Sequence, residues 1–375
     1  MKVLHITYDM RIGGTEMVLK NIIEGNTASD IEMSIFCIEA PLGPWGEELR
    51  ESGVQIAIHE RKPGFDLSLI KALRQHIKAS NIDVVHCHQY TPWVYGAIAA
   101  AFTKAKVIFT EHGRFYPDSS SLKRKFVNPL LLKLTEHVTA ISKATKQALV
   151  DYEFIPANAI QVVYNGIQPL TVDEAECRRF REILNLRDKT IVFGTIARLD
   201  PIKNQRMMIA AFARLLNTHP GAALIIVGDG EERASLEKQV TELGIADSVR
   251  FTGYINNPAN VLGIMDVFLL SSLSEGTSMT LLEAMSLKKP CIVTDAGGNK
   301  EIIQHNKNGL VTNNNDEDDF ASKMQLIADN QAKLLFEMGE IAFCIFSDKF
   351  HSLVMIKEYK RIWTSSLEKG KYNNY

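Results

Sequence analysis

Short apolar runs alternate with amphipathic stretches of helical period along almost the whole chain. The runs Val3–Thr7, Met33–Ile38, Val54–Ile58, Val84–His86, Val107–Thr110 and Val138–Ile141 predict strands, and Glu16–Ile23, Leu67–Ile77 and Lys143–Val150 between them predict helices. The pattern then starts again. Thr190–Ala197, Ala223–Val227, Val249–Thr252, Val267–Leu270 and Cys291–Thr294 predict a second set of strands, separated by helices such as Gln205–Leu216 and Ser235–Leu243. Strand and helix in alternation build parallel sheets, because each crossover must return across the sheet. VVYNGIQPLTVDEAECRRF (162–180) interrupts the two series with turn signals and polar residues, which places a linker near 166–185. The expected fold class is α/β, two Rossmann-like domains with parallel sheets facing a central cleft. Their expected limits are 1–170 and 171–349, with a C-terminal helical segment, 350–375, packing back on the first domain through the stripe Phe350–Leu367 and Trp363.

Composition narrows the classes. A length of 375 residues suits two or three domains at roughly 150 residues each. A net charge of −2 argues against a nucleic-acid partner. Cys37, Cys87, Cys177, Cys291 and Cys344 are scattered without paired spacing, the pattern of reduced thiols in a cytoplasmic protein. MKVLHITYDM has no long apolar core of a signal peptide, and no run approaches the ~18 apolar residues of a membrane span. The expectation is a cytoplasmic protein, with peripheral contact to the inner face of a membrane left open.

In such sheets ligands sit at the carboxyl ends of strands, on loops that enter helices. SSLSEGTSMTLLEAMSLKKP (271–290) follows the predicted strand Val267–Leu270 and enters a helix near Met279. A helix start with bare N–H groups suits a phosphate, with Glu283 one turn on able to accept from ribose hydroxyls and Glu275 able to reach a sugar. Read alone, the stretch equally fits an acidic helix start with one surface glutamate. VFGTIARLDPIKNQRMMIAA (192–211) places Arg198 and Lys203 after the first strand of the second series, one a bidentate fork and the other a point charge. Together the two loops suit a nucleotide diphosphate. His86 and His88 share a strand face, but neither a cysteine nor a carboxylate cluster completes a site, so no metal is expected.

RLDPIK (198–203) followed by EGTSMTLLEAM resembles glycosyltransferase family 4 of the GT-B fold, the group 1 glycosyltransferases. MRIGGTE (10–16), VVHCH (84–88), TEHG (110–113), AISKATK (140–146), VVYNGI (162–167), IIVGDGEER (225–233), VRFTGY (249–254) and AGGNKEII (296–303) carry the resemblance in order along the chain. The resemblance implies that Arg198 and Lys203 bind the donor diphosphate and balance charge on the leaving group. By the same likeness Glu283 holds the ribose and Glu275 contacts the donor sugar. The N–H groups of Ser278, Met279, Thr280 and Leu281 would lie near sugar and phosphate, and Thr252–Tyr254, with Gly253, would line the base pocket. Gly13 and Gly14 would let a loop approach the phosphate, and His112 would orient or polarise the transferred sugar. Alone, such a histidine is more readily a packed structural residue. Thr277 stands where many relatives carry Phe, and Gln168 where Asp is frequent.

The resemblance implies a retaining, metal-independent hexosyltransferase without a cofactor. Its donor would be a nucleotide diphospho-sugar, with uridine favoured, and its acceptor a saccharide or lipid-linked saccharide in surface polysaccharide, lipopolysaccharide or glycolipid synthesis. RFYPDSSSLKRKFVNPLLLKL (114–134) combines Lys123, Arg124 and Lys125 with Phe126 and Leu130–Leu132, a mixture suited to an anionic membrane surface. The alternatives are a GT-B-fold sugar-nucleotide epimerase and a non-catalytic nucleotide-sugar-binding subunit.

Overall fold

The computed structural model describes residues 1–26, 31–113, 120–187 and 190–368. The chain divides into two units, Met1–Gly166 with Ser352–Tyr375, and Ile167–His351. The divisions fall four residues before and two residues after the expected limits, because the Ile167 N–H donates to the Phe350 carbonyl and Ile167 bridges His351. That pairing ties both chain ends of the second unit to it. Residues 369–375 of the expected tail lie outside the described residues.

The first unit holds a seven-stranded parallel sheet of order β3-β2-β1-β4-β5-β6-β7. Its strands are β1 Lys2–Thr7, β2 Glu32–Cys37, β3 Gln55–Ile58, β4 Val84–His88, β5 Lys106–Glu111, β6 His137–Ala140 and β7 Ile160–Val162. Alternate residues point to opposite faces. Leu4, Ile6, Val85, Cys87, Phe109, Val138 and Ala140 join one apolar core, in which Trp93 stacks on Phe109 at 4.3 Å between ring centroids. The intervening residues His5, His86, His88, Thr110 and Thr139 are equally buried yet polar. The helix Ser352–Glu368 packs its Tyr359 and Trp363 rings against His5 and His86.

The second unit holds a six-stranded parallel sheet of order β10-β9-β8-β11-β12-β13. The strands are β8 Val192–Ile196, β9 Ala223–Val227, β10 Val249–Gly253, β11 Val267–Leu270, β12 Cys291–Thr294 and β13 Gly309–Thr312. Phe193, Phe212, Leu224, Ile226, Leu269, Ile292 and Phe320 anchor its core. This is the GT-B architecture of two doubly wound sheets.

β7 and β13 were not expected from the pattern. Each has few residues, and β13 opens on Gly309, a residue with weak strand preference. Tertiary pairing supplies what the local signal lacks. In each sheet the winding reverses once between neighbouring strands, at β1/β4 and at β8/β11, and the loops leaving those strands are where a ligand is expected.

Candidate active site

At the β8/β11 reversal two loops meet. After β8 the chain makes a short turn, Pro201–Lys203, before the helix Gln205–Leu216. Asp200 builds that turn: its Oδ1 accepts from the Lys203 N–H at 3.1 Å, and its Oδ2 accepts from Arg198 Nε at 2.6 Å. After β11 the loop brings in Glu275, whose Oε1 accepts from Lys203 Nζ at 2.7 Å and from Ser272 Oγ at 2.6 Å. Ser271 Oγ donates to the Lys203 carbonyl, and the Leu273 N–H to the Ile202 carbonyl, which pins the loops side by side. A third loop, after β12, supports Glu275: the Gly298 N–H donates to its carbonyl, and Gly297 approaches so closely that a Cβ there would lie 1.8 Å from the same oxygen. With φ at +53°, Gly297 also occupies the left-handed region that other residues resist.

The two cations are therefore not isolated. Lys203 is neutralised by Glu275, and Arg198 is held by Asp200 through Nε while its side chain stays 74% exposed. Each of the two cations expected at the diphosphate forms an ion pair of its own. A diphosphate would share these cations with carboxylates, and the Asp200 and Ser272 contacts were not foreseen.

The helix Met279–Ser286 begins where expected, capped by Ser278, whose hydroxyl accepts from the Leu281 N–H at 3.3 Å. Within the expected set Ser278–Leu281, the Leu281 N–H is engaged by this cap. The N–H groups of Met279 and Thr280 belong to the first turn, which an α-helix leaves without internal partners. Glu283 lies on the buried side at 8% exposure, and its Oε2 has no hydrogen-bond partner among the described residues. Burial pushes its carboxyl up to about 7. An unpartnered buried carboxylate is costly, and such groups concentrate at functional sites. Gly253 ends β10 with φ at +73°, and Tyr254 follows it, exposed, with its hydroxyl donating to Asn256 Oδ1.

At the β1/β4 reversal in the first unit, Gly13 and Gly14 lead into the helix Gly14–Glu24. Gly13 has fully extended backbone, which any residue adopts. What it provides is room, because a Cβ there would lie 2.4 Å from Glu16 Oε2. Gly14 has open space around its own missing side chain. Glu16, not singled out from the sequence, is pushed up to about 7 by burial and then by Asp9. Gln89, after β4, donates to Thr15 Oγ1 and links the two loops.

His112 follows β5 and belongs to a larger group. His88 Nδ1 and His112 Nε2 are 2.8 Å apart, and His5 Nδ1 and His88 Nε2 are 3.0 Å apart. His86 Nε2 meets Thr110 Oγ1 at 2.7 Å. Burial pushes His5 and His112 down to about 3 and holds His86 and His88 well below the usual imidazole value, with neighbouring histidines adding to the effect. All four rings are neutral at ordinary pH. The reading of His86 and His88 as lacking a third donor is corrected: His5, opposite His86 on β1, brings three ring nitrogens within 4.8 Å. A tetrahedral zinc site wants its nitrogens roughly 3.4 Å apart at bond lengths near 2.0–2.1 Å. His88 has both ring nitrogens within hydrogen-bonding distance of other histidines, His5 and His112.

Comparison with known proteins decides the family. The model for glycosyl transferases group 1 matches residues 177–343, and that for Glycosyltransferase Family 4 matches 12–169. The chain belongs to the family 4, group 1 glycosyltransferases. It is 28% identical over 317 residues to N-acetyl-alpha-D-glucosaminyl L-malate synthase of Bacillus anthracis, covering 82% of this chain and 81% of that protein. It is 25% identical over 345 residues to UDP-Gal:alpha-D-GlcNAc-diphosphoundecaprenol alpha-1,3-galactosyltransferase of Escherichia coli, covering 88% and 89%. Among solved structures, a glycosyltransferase from Rickettsia africae ESF-5 superposes with a TM-score of 0.87 at 20% identity, covering 100% of this chain and 99% of that one. HepE from Anabaena, solved with UDP-glucose, superposes with a TM-score of 0.82 at 22% identity over 97% and 100%. In this glycosyltransferase no helix among the described residues is long and apolar enough to cross a membrane.

Proposed function

We propose that this glycosyltransferase moves a hexosyl unit, with retention of configuration and without a metal, from a uridine diphospho-sugar to a saccharide or lipid-linked saccharide acceptor. The observation that carries the donor reading is the junction of the β8 and β11 loops through Lys203 and Glu275, beside a helix start and a buried carboxylate awaiting a partner. Lys203 and Arg198 would take the two phosphates, Glu283 the ribose hydroxyls, and the Gly253–Tyr254 segment the base. Glu275 would exchange Lys203 for sugar hydroxyls as the diphosphate claims the lysine. Gly13 and Gly14 would serve the loop approaching the phosphate, and His112 would orient the sugar. The names of the relatives support uridine and, for the Escherichia coli enzyme, a lipid-linked acceptor.

For the chemistry, retention through a covalent intermediate requires a carboxylate on the back face of the sugar. Glu275 and Glu283 are otherwise assigned, which favours front-face substitution. The bond from the anomeric carbon to the phosphate oxygen breaks, the acceptor oxygen bonds to that carbon on the same face, and its proton passes to the departing phosphate oxygen. Arg198 and Lys203 stabilise the charge that develops there.

A thermal-shift screen of nucleotides and nucleotide sugars tests the donor, with uridine diphosphates expected to shift the melting temperature most. Donor-only incubation separates an epimerase, which yields a new nucleotide sugar, from a transferase. NMR of the product anomer tests retention, and full activity after chelation tests metal independence. No product with any donor and acceptor pair would leave a binding subunit.

We further propose a peripheral membrane contact through the helix Leu122–Leu132. Leu122, Phe126 and Leu130 recur at four-residue spacing and are all exposed, with Lys123 and Lys125 beside them. Arg124 is corrected out of that basic set, because it turns inward to pair with the buried Glu153 at 2.7 Å. Leu131 is buried too. Residues 114–119 of the expected membrane segment lie outside the described residues.

A further inference from the structure

We propose that His88 and His5 are positioning residues that fix which ring nitrogen of His112 carries its proton. This rests on the reading of His112 as the group that orients the sugar.

The three rings form one chain, His5 Nδ1 to His88 Nε2 and His88 Nδ1 to His112 Nε2, at 3.0 and 2.8 Å. A neutral imidazole has one N–H and one lone pair. His88 uses both nitrogens on other rings, so it must donate in one direction and accept from the other. The chain therefore has only two proton arrangements. In one, His5 donates to His88 and His88 donates to His112, which leaves the proton of His112 on Nδ1. In the other every bond reverses, His112 presents a bare lone pair at Nδ1, and His5 carries an N–H at Nε2.

The ends decide between them. His5 Nε2 and His112 Nδ1 both lack a partner among the described residues. Both atoms are buried, but His5 is a fully buried residue with Trp363 edge-on at 5.8 Å, whereas His112 is half-buried where β5 gives way to a loop. A ligand can therefore come to satisfy an N–H at His112 and none can at His5, where it is the costlier defect. The favoured arrangement keeps the lone pair at His5 and puts the free N–H at His112, so His112 is a donor to a sugar oxygen. His86 and the Glu111 carboxylate, which accepts from the His112 backbone N–H, flank the chain without entering it.

Two variants of His88 cut the chain at different bonds. An asparagine amide falls near the Nδ1 position of the ring and a glutamine amide near Nε2. His88→Asn keeps a hydrogen bond to His112, and His88→Gln loses it while keeping the one to His5. In a serine hydrolase triad, losing the orienting carboxylate costs about 10⁴ in kcat through the wrong tautomer. A neutral imidazole orients less strongly, so His88→Gln is expected to lower kcat roughly 10-fold with KM unchanged, and His88→Asn to retain most of the turnover. Nitrogen-15 spectra of histidine-labelled protein, with His112 assigned by its loss in His112→Ala, should show the proton on Nδ1 in the wild type and a mixture in His88→Gln.

Equal turnover in the two variants, or an unchanged His112 spectrum in His88→Gln, overturns the proposal. If His112→Ala turns over like the wild type, the reading of His112 falls and the spectrum alone judges the chain. Should His88 variants fail to fold, His5→Leu removes the first ring. A His112 spectrum unchanged by it also overturns the proposal, and a mixture supports it.

Discussion

At the scale of single residues, two carboxylates and a lysine carry most of the proposed chemistry. Lys203 already rests on Glu275, so the proposed catalytic role requires it to exchange that partner for a phosphate oxygen as charge develops. Removing one such stabilising group commonly costs about 3–4 kcal/mol at the transition state, so Lys203→Ala should lower kcat roughly 10²–10³-fold in a folded protein. Steady-state rates beside a circular-dichroism melt check it, and wild-type turnover would refute the assignment. Glu283 makes a separate prediction through its titration. Its carboxyl is raised from 4.5 to about 7 by burial, so the folded state binds more protons than the unfolded state between those values. Stability from this group is whole below pH 4.5 and declines as pH rises towards 7 and beyond, by about 3 kcal/mol at most. Glu283→Gln removes the titration, so it should melt higher than the wild type at pH 8 and about level with it at pH 5. The same variant should bind UDP more weakly, because ribose hydroxyls donate best to a carboxylate. Calorimetry of UDP binding to the wild type near pH 6.5 should then register proton release, and no release would separate Glu283 from the ribose.

At the scale of elements, the helix Leu122–Leu132 shows how far a sequence pattern reaches. The mixture of basic and apolar residues at 114–134 was plain in the sequence, yet it could not say which side chains turn outward. Arg124 looks like a surface cation and is half of an ion pair whose carboxylate is buried, with Asn128 donating to the same Glu153 side chain at 3.2 Å. Leu130 is 62% exposed, while its neighbour in the same apolar run, Leu131, is buried. The strongly periodic helices and the buried apolar strands were legible because one period marks each. β7 and β13 were not, since both draw their order from neighbours already in place. The placement of candidate residues was legible where the signal is local, as in Arg198 and Lys203 after β8 and the helix start at Ser278. It was not where partners come from other strands: His5 lies 83 positions before His88 in the chain. The outward stripe makes its own prediction. Phe126→Ser with Leu130→Ser should abolish co-sedimentation with vesicles of anionic lipid while leaving activity on a soluble acceptor intact. Arg124→Ala should instead lower the melting temperature, since Glu153 would be left buried without its cation. Equal sedimentation with neutral and anionic vesicles would remove the membrane reading.

At the scale of the whole molecule, the last helix belongs to the first unit although the chain reaches it only after completing the second. Its buried residues Ser352, Met355, Ile356, Tyr359, Ile362, Trp363 and Ser366 form one stripe of helical period. Beneath that stripe lie His5 and His86, polar residues on a sheet face that is apolar in most parallel sheets. An aromatic lid over neutral imidazoles keeps water from the histidine chain, and the same burial holds those rings uncharged. Trp363→Ala would open a cavity there, with an expected cost of about 3–5 kcal/mol. Water entering it would hydrate the His5 end and weaken the preference that places the proton on His112. Trp363→Ala should therefore lose stability and also shift His112 towards a mixture of tautomers, while UDP binding by the second unit is unchanged. Trp363→Phe, which refills most of the space, should recover both. A destabilised Trp363→Ala protein whose His112 spectrum stays like the wild type would show that the lid supports the fold without setting the proton, and would confine the tautomer control to the three rings themselves.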